Sequence, residues 1–279
     1  MMIEKLKKYG QDFVASKLES LTGEARAKLE KQLSEIDFDE LDELIRDYVL
    51  KKPVTEIPSD LAPAPFFPFP AKDDAQKEYY EKARKEGERL LSEGKVAMLV
   101  VAGGQGTRLG FDGPKGTYPI TPVKHKTLFQ YFAETIKRVS EKYGRPLHWF
   151  IMTSELNDRR TREFFKENSY FGLGEKNITF FTQGTMPAIS YEGKLLMGAA
   201  DSLALSPNGH GGTLLALKKS GALDEMKKNG VEYISYFQVD NPLAPMADPL
   251  FLGLHSLEKS EISSRMLPKT NPYEKLGNF

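Results

Sequence analysis

The first fifty residues carry apolar side chains at helical spacing. One stripe recurs at i, i+3, i+4 and i+7, and it contains Leu41, Leu44, Ile45 and Tyr48. Asp39 precedes this stripe as the candidate N-cap. An earlier stripe contains Leu29, Leu33 and Ile36. The pattern predicts a helical region over residues 1–52.

A proline-rich segment follows over residues 53–73. The string "KKPVTEIPSDLAPAPFFPFP" holds six of the chain's 17 prolines. Proline fixes φ and removes a backbone donor, so we predict an extended connector. Its phenylalanines, Phe66, Phe67 and Phe69, are expected to hold the connector against a domain. A proline-rich ligand for a partner is the alternative.

Helix-like and strand-like patterns alternate from residue 74 to residue 279. A charged helix is predicted to end at Gly94. Apolar runs predict strands, which lie at 96–102, 147–154, 178–184 and 231–243. Helical patterns separate these runs, and a hairpin is predicted to turn at Glu192-Gly193. The alternation predicts an α/β domain, a mostly parallel Rossmann-like sheet with helices on both faces.

Composition narrows the classes of function. The chain has 279 residues, a formal net charge of zero, four histidines and no cysteine. Disulfides, zinc–thiolate sites and cysteine nucleophiles are therefore excluded, and no global basic field favours nucleic acid. No apolar run approaches the roughly 20 residues that span a bilayer, and the N-terminus lacks an apolar signal core. We predict a soluble cytoplasmic protein with neither nucleic-acid nor membrane partners.

Glycines and basic side chains follow the first predicted strand. Gly104, Gly106 and Gly110 are spaced G-x-G-x-x-x-G, one residue longer than the dinucleotide fingerprint. Lys115 follows a proline, so the loop is not a Walker loop either. Bare backbone N–H groups next to Arg108 and Lys115 predict a polyphosphate ligand. An ordinary strand-to-helix turn with two surface side chains is the alternative.

Asp240 ends the last predicted strand in the string "QVDN". Ligands of open parallel sheets bind beyond the carboxyl ends of the strands, where the glycine loop also lies. A carboxylate there suits Mg²⁺, which prefers oxygen ligands and bridges phosphates. Capping of the next turn is the alternative role for Asp240, and Asn241 is expected to be structural.

Several strings in order resemble one enzyme family. They are "LVVAGGQGTRLGFDGPKG", "WFIMTS", "REFFKENSYFGL", "ITFFTQGTMPAIS", "SPNGHGGTLLAL", "QVDNPLAPMADP" and "KTNPYEKLG". From about residue 80 to its end, the chain resembles the UTP-dependent sugar-1-phosphate uridylyltransferases, in particular the eukaryotic-type UDP-N-acetylhexosamine pyrophosphorylases. The resemblance implies a nucleotide-diphospho-sugar transferase (GT-A-like) fold and Mg²⁺-dependent formation of UDP-N-acetylglucosamine and pyrophosphate from UTP and N-acetylglucosamine 1-phosphate.

The resemblance also implies roles for individual residues. Lys115 would contact the triphosphate, and Arg108 would contact the β- and γ-phosphates that leave. Gln183 would face uracil, because its amide both donates and accepts. Asp240 would hold the metal. Further nucleotide contacts would come from Ala102, Gly103, Gly104, Pro207 and Gly209.

The motif around His210 is compatible with two sugars. His210 lies in "PNGHGG", which mixes the pattern of N-acetylhexosamine enzymes with that of glucose enzymes. It would contact the sugar or its phosphate, or else face solvent as a loop histidine. A UTP–glucose-1-phosphate uridylyltransferase is therefore the alternative. A nucleotide-binding protein without catalysis is the rival from another class, and a dinucleotide oxidoreductase fits the loop spacing poorly.

The last residues, "LGNF", read as the start of a strand. In the family that the chain resembles, Gly277 would lie near the sugar and the catalytic domain would continue. We therefore expect the catalytic domain over residues 74–279 to be incomplete at its C-terminal end.

Overall fold

The structure is a computed structural model, and it describes residues 1–51, 54, 56, 58–60 and 62–275. The chain divides into two compact units. The first comprises Met1–Leu61 and Thr185–Asn208, and the second comprises Ala62–Gly184 and Gly209–Phe279. The segment boundaries after residues 52 and 73 stay predictions. Residues 185–208 lie within the predicted domain 74–279, but in the structure they belong to the same unit as the N-terminal helices.

The helices in chain order are α1 (Met2–Lys8), α2 (Asp12–Ser20), α3 (Gly23–Ser34), α4 (Phe38–Leu44), α5 (Asp74–Ser92), α6 (Leu128–Tyr143), α7 (Asp158–Glu167), α8 (Thr213–Lys219), α9 (Ala222–Lys228) and α10 (Pro249–Leu257). The strands are β1 (Val96–Val101), β2 (Trp149–Thr153), β3 (Ile178–Thr182), β4 (Thr185–Pro187), β5 (Met197–Ala199), β6 (Ser202–Leu203), β7 (Leu205–Pro207) and β8 (Tyr233–Gln238). Among the residues that the structure describes, no helix is long and apolar enough to cross a membrane.

The apolar stripes of the first unit are buried for most of their length. Leu29 and Leu33 on α3 are fully buried, and Leu41 and Ile45 are nearly so. Ile36 lies beyond the end of α3 and still packs against the same cluster. The side chains of both stripes therefore pack in one shared core.

Helix α4 begins earlier than the sequence predicts. The Asp37 carboxylate accepts hydrogen bonds from the N–H groups of Asp39 and Glu40, both at 3.1 Å, so Asp37 rather than Asp39 is the N-cap. The helix continues into a π-helical turn over Ile45–Val49. Because a π turn takes more residues than an α turn, Tyr48 leaves the buried stripe and is 65% exposed.

Residues 185–208 form short antiparallel pairs in the first unit, β4 with β7 and β5 with β6. The predicted hairpin lies between these pairs and is confirmed. The Ser190 N–H donates to the Lys194 carbonyl at 2.8 Å, and Gly193 has a φ of +75° in the turn.

Two glutamines of the N-terminal helices bind this segment. Gln11 Oε1 accepts from the Leu195 N–H at 2.8 Å, and Gln32 Oε1 accepts from the Leu203 N–H at 2.9 Å. Gln11 is only 4% exposed. The N–H groups of Leu195 and Leu203 are therefore satisfied by side chains of the N-terminal helices.

Four strands of the second unit form one parallel sheet in the order β3–β2–β1–β8. Every neighbouring pair is parallel, and Val100 of β1 pairs with Ile151 on one side and Phe237 on the other. The strands lie inside the four predicted segments, which confirms the α/β architecture. Strand β8 ends before the predicted limit because the chain turns at Val239 and Asp240.

Helices cover both faces of this sheet. Val100 on one face packs in a cluster with Phe132 of α6. Leu99 on the other face packs in a cluster with Leu217 of α8 and Met226 of α9. Strand β1 lacks a polar residue because both of its faces are covered in this way.

One of the three connector phenylalanines that were expected to pack against a domain makes aromatic contacts there. Phe66 and Phe69 are 58% and 84% exposed, so the prediction that they pack against a domain is wrong. Phe67 packs against Tyr79 and Tyr80 of α5, with ring centroids 5.9 and 6.3 Å apart. The aromatic contact between the connector and helix α5 is therefore made by Phe67.

Helices α5 and α10 cross at two glycines. A Cβ added to Gly253 would lie 1.7 Å from the Ala83 carbonyl oxygen. A Cβ added to Gly87 would lie 1.9 Å from the Pro249 carbonyl oxygen. Real atoms do not approach so closely, so the two backbones touch only because both residues lack a side chain.

We therefore expect Gly253→Ala to lower the free energy of unfolding by about 1–3 kcal/mol, as overpacking does. Helix propensity alone would give the opposite sign, because alanine favours a helix over glycine by about 1 kcal/mol. Urea denaturation measures the difference.

Gly211→Ala is the matched control, since a Cβ at Gly211 meets open space. Its unfolding free energy should stay within about 0.5 kcal/mol of the wild-type value. A stabilised Gly253→Ala variant would contradict the close crossing of α5 and α10.

Candidate functional site

The carboxyl ends of the four parallel strands bring polar residues to one edge of the sheet. The hydrogen-bond ladder continues just past the strands, from the Ala102 N–H to the Met152 carbonyl and from the Gln183 N–H to the Thr153 carbonyl, both at 2.8 Å. Asp240 follows β8 at the same edge. The sheet thereby aligns residues that lie far apart in the sequence.

The glycine loop after β1 folds back on itself. The Lys115 N–H donates to the Gly104 carbonyl at 3.0 Å, and the Gly106 N–H donates to the Gly113 carbonyl at 2.9 Å. A Cβ on Gly106 would lie 2.7 Å from the Phe111 ring, so this close approach requires glycine. The loop therefore returns Lys115 to the point where β1 ends.

Lys115 lies in a single 3₁₀ turn, Lys115–Thr117, that packs on the core. A Cβ on Gly116 would lie 2.1 Å from the Phe129 ring, so the backbone of this turn rests directly on a buried aromatic side chain. Lys115 Nζ lies 3.0 Å from Asp240 Oδ2. The lysine side chain is 13% exposed and the aspartate side chain 51%, so the cation is the more buried partner.

The pKa of Asp240 is lowered from its usual value. Burial by itself raises this pKa, but the hydrogen bond and the positive charge of Lys115 outweigh burial, and the charge of Arg108 acts in the same direction. Asp240 is therefore a carboxylate at neutral pH. Its side chain contacts Lys115, and its role as a metal ligand stays a prediction.

Arg108 projects from the exposed part of the loop. It lies in the 3₁₀ turn Thr107–Leu109, and it forms no salt bridge with the residues that the structure describes. Its charge is near enough to lower the pKa of Asp240. The site thus holds one fixed cation, Lys115, and one solvent-exposed cation.

Gln183 lies beside the start of the loop. It is 9% exposed, and its Nε2 donates to the Gly209 carbonyl at 3.1 Å. A Cβ on Gly103 would lie 2.8 Å from Gln183 Oε1, so a side chain at this position would displace the amide. The structure brings together Gly103, Gln183 and Gly209, and their role as nucleotide contacts stays a prediction.

The remaining predicted site residues are His210, Pro207 and Gly277. His210 is exposed, and its Nδ1 contacts the hydroxyl of Tyr236 on β8. Burial raises the pKa of Tyr236, so its hydroxyl keeps its proton at neutral pH. Pro207 ends β7 in the first unit, and Gly277 lies outside the described residues.

Two polar residues at the end of β2 were missed from the sequence. Asn157 is 1% exposed and Ser154 is 6% exposed. Asn157 Nδ2 donates to the Ala102 carbonyl at 3.0 Å, and Ser154 Oγ donates to the Gly103 carbonyl at 2.8 Å. In "TSELND" such residues look like an ordinary helix start, so no local pattern distinguishes them as site residues.

The side chains near Asp240 fit Mg²⁺ only if the phosphates of a bound substrate supply most of the metal's ligands. Among the residues that the structure describes, no group of three or more His, Cys, Asp or Glu side chains is close enough to hold a metal. Asp240 offers one ionised, half-exposed carboxylate. Mg²⁺ is commonly bound by one or two carboxylates together with substrate phosphates, so a single carboxylate suffices.

Comparison with known proteins places the chain in a family. The model of the family described as UTP–glucose-1-phosphate uridylyltransferase matches residues 63–279. UDP-N-acetylglucosamine diphosphorylase 2 of Arabidopsis thaliana is 37% identical over 291 residues, which cover 100% of this chain and 57% of the plant protein. UDP-N-acetylhexosamine pyrophosphorylase-like protein 1 of Mus musculus is 35% identical, with 98% of this chain and 56% of the mouse protein covered.

A solved structure agrees with these sequence relatives. The crystal structure of the uridine diphosphate N-acetylglucosamine pyrophosphorylase from Trypanosoma brucei in complex with inhibitor superposes with a TM-score of 0.77 at 30% identity, and covers 92% of this chain and 54% of that protein. The chain thus spans a little over half the length of these relatives. The family predicted from the sequence motifs is confirmed: the chain belongs to the UTP–glucose-1-phosphate uridylyltransferase family.

Proposed function

We propose that this chain binds UTP at the edge of its parallel sheet and transfers the uridylyl group to N-acetylglucosamine 1-phosphate, forming UDP-N-acetylglucosamine and pyrophosphate. The observation that carries the proposal is the 3.0 Å contact between Lys115 Nζ and Asp240 Oδ2 beside the glycine loop. A cation with little solvent exposure next to a carboxylate supports the proposal, because a metal-bound triphosphate would need both kinds of group. The names of the plant and trypanosome relatives support the acetylated sugar.

The proposed reaction needs charge neutralisation more than proton transfer. A sugar phosphate has a second pKa of about 6, so its oxygen is already anionic at neutral pH. This oxygen attacks the α-phosphorus, the bond to the β-phosphate breaks, and pyrophosphate leaves with the electron pair. Lys115 and Arg108 would stabilise the charge on the transferred and leaving phosphates. No general base is required.

Asp240 is the residue that we propose as the protein ligand for Mg²⁺. When bound, the ion neutralises phosphate oxygens and helps to orient them. Asp240 is half-exposed and ionised, so its carboxylate could leave Lys115 and hold the Mg²⁺ that accompanies the nucleotide. Lys115 would then be released towards the phosphates.

Gln183 would read the uracil base in this proposal. Its amide offers one donor and one acceptor, and a pyrimidine edge requires both. The contact with the Gly209 carbonyl orients the amide, and the closeness to Gly103 places it against the loop. The prediction that Pro207 and Gly277 contribute to the nucleotide and sugar sites remains a prediction, as do the cytoplasmic location and the absence of other partners.

The test of this proposal is pyrophosphate release from UTP and Mg²⁺, measured separately with N-acetylglucosamine 1-phosphate and with glucose 1-phosphate. Release with the acetylated sugar is the expected result. Preference for glucose 1-phosphate would support the alternative function, a UTP–glucose-1-phosphate uridylyltransferase. It would also support contact between His210 of the mixed "GHGG" pattern and the sugar or its phosphate. UTP binding without pyrophosphate release from either sugar would favour a non-catalytic nucleotide-binding protein.

Lys115→Met should raise the dissociation constants of both UTP and inorganic tripolyphosphate by about 10- to 100-fold. The reason is the loss of a charged hydrogen bond to phosphate, which is worth about 1.5–3 kcal/mol. Titration calorimetry measures both constants. Lys126→Met is the matched control, because Lys126 is also ion-paired and has a side chain 21% exposed. Equal effects of both substitutions would remove Lys115 from the phosphate site.

Gln183→Ala should weaken UTP binding by about tenfold and leave tripolyphosphate binding unchanged, because its amide meets the base and not the phosphates. The same calorimetric titrations provide the comparison. Gln130→Ala serves as the control, since Gln130 also makes one side-chain hydrogen bond, to Glu134 at 3.1 Å. A parallel loss of affinity for both ligands would argue that Gln183 supports the fold of the loop and does not recognise uracil.

A further inference from the structure

Three consecutive carbonyl groups at the start of the glycine loop accept hydrogen bonds from side chains that follow β2, and the Gly104 carbonyl also accepts one from the Lys115 N–H. Asn157 Nδ2 donates to the carbonyl oxygens of Ala102 at 3.0 Å and Gly104 at 3.3 Å. Ser154 Oγ donates to the Gly103 carbonyl between them at 2.8 Å. Every peptide oxygen from 102 to 104 is therefore fixed by a side chain that follows β2.

This arrangement determines where the N–H groups of the loop point. In a planar trans peptide the C=O and the following N–H are antiparallel. The only cis peptide among the described residues is at Pro70, so the loop peptides are trans. The N–H groups of Gly103, Gly104 and Gln105 must therefore point away from Asn157 and Ser154.

These three N–H groups are available to a ligand. Within the described part of the chain, none of them donates a hydrogen bond to a backbone or side-chain acceptor. Gly104 is exposed, and Lys115 Nζ would lie 3.9 Å from a Cβ at Gly104. Successive unpaired N–H groups beside a cation form a cradle for oxygen acceptors.

Asn157 is itself locked in place. Its Oδ1 accepts from the Ser154 N–H at 2.9 Å, and its N–H donates to the Ser154 carbonyl at 3.0 Å. Its side chain makes no capping hydrogen bond to α7, although it occupies the N-cap position. The amide is therefore committed to the glycine loop instead of to the helix that it precedes.

We propose that Asn157 and Ser154 are positioning residues for nucleotide binding: by anchoring the carbonyls of 102–104, they aim the N–H groups of Gly103, Gly104 and Gln105 at the oxygens of the nucleotide. This inference rests on the proposed function, because it assigns the support of the UTP site and not a new ligand. The two side chains touch the loop and do not touch substrate.

The test combines UTP titration with hydrogen–deuterium exchange of the full chain. Asn157→Asp keeps the acceptor for the Ser154 N–H but removes both donated hydrogen bonds to the loop. We expect the dissociation constant of UTP to rise by about tenfold or more. At saturating UTP, the wild-type amides of 103–105 should exchange slowly. In the variant they should lose this protection while the peptide that contains Gln183 keeps it.

Matched variants separate positioning from general damage. Asn168→Asp is the same substitution at an exposed asparagine that also donates to a backbone carbonyl, and it should change neither readout. If Asn157→Asp fails to fold, Ser154→Ala removes only the bond to the Gly103 carbonyl, with Ser92→Ala, which loses a bond to the Arg89 carbonyl, as its control.

The outcomes distinguish this inference from the proposed function. A wild-type chain that binds no UTP would overturn the proposed function and the positioning role with it. A wild-type chain that binds UTP, together with folded Asn157 and Ser154 variants that bind equally well and keep full protection at 103–105, would overturn the positioning role alone. Loss of protection over the whole second unit would mean a purely structural role and would contradict the inference in the same way.

Discussion

The parallel pairing of β1 with β2 on one side and β8 on the other controls where each site residue lies. Parallel strands place all their carboxyl ends at one edge, and here each strand supplies that edge with a different component. Strand β1 supplies the glycine loop, β2 supplies Ser154 and Asn157, β3 supplies Gln183 and β8 supplies Asp240. The apolar contacts that bury β1 on both faces thereby also determine the geometry of the site.

Local charge at this edge of the sheet would attract a polyanion, which the net charge of the whole chain cannot do. The formal net charge is zero, so no long-range field attracts a polyanion. Lys115 is instead held close to Asp240 by the glycine loop and by the packing of Gly116 on Phe129. A nearly buried cation interacts more strongly with a bound anion than a solvated one, because less water screens it. The acidic partner keeps Lys115 in position before a ligand arrives.

Much of this architecture could be predicted from local patterns. The apolar run at 96–102 is short enough to predict a buried strand, and β1 lies within it. Gln183 and Asp240 became candidates because each follows an apolar run, and Lys115 because it lies in the glycine-rich string that resembles the family motif; their roles stay predictions. The sequence also located the end of α5 near Gly94, which has a φ of +71°.

Other features depend on contacts that no local pattern contains. The grouping of residues 185–208 with the N-terminal helices rests on Gln11 and Gln32, whose amides meet backbone groups more than 170 residues away. Asn157 resembles a helix cap because its sequence context is that of a cap, whereas its amide binds a loop 55 residues earlier. Tyr48 left its predicted stripe because one π turn shifts the helical register.

The central claim is that the loop after β1, together with Lys115, Gln183 and Asp240, forms a UTP site. A crystal structure of the chain soaked with UTP and Mg²⁺ tests it most directly. The account predicts uracil within hydrogen-bonding distance of the Gln183 amide, phosphate oxygens on Lys115, and Asp240 turned from Lys115 to the metal. Nucleotide bound elsewhere, or a Lys115–Asp240 pair left intact beneath a bound triphosphate, would contradict it.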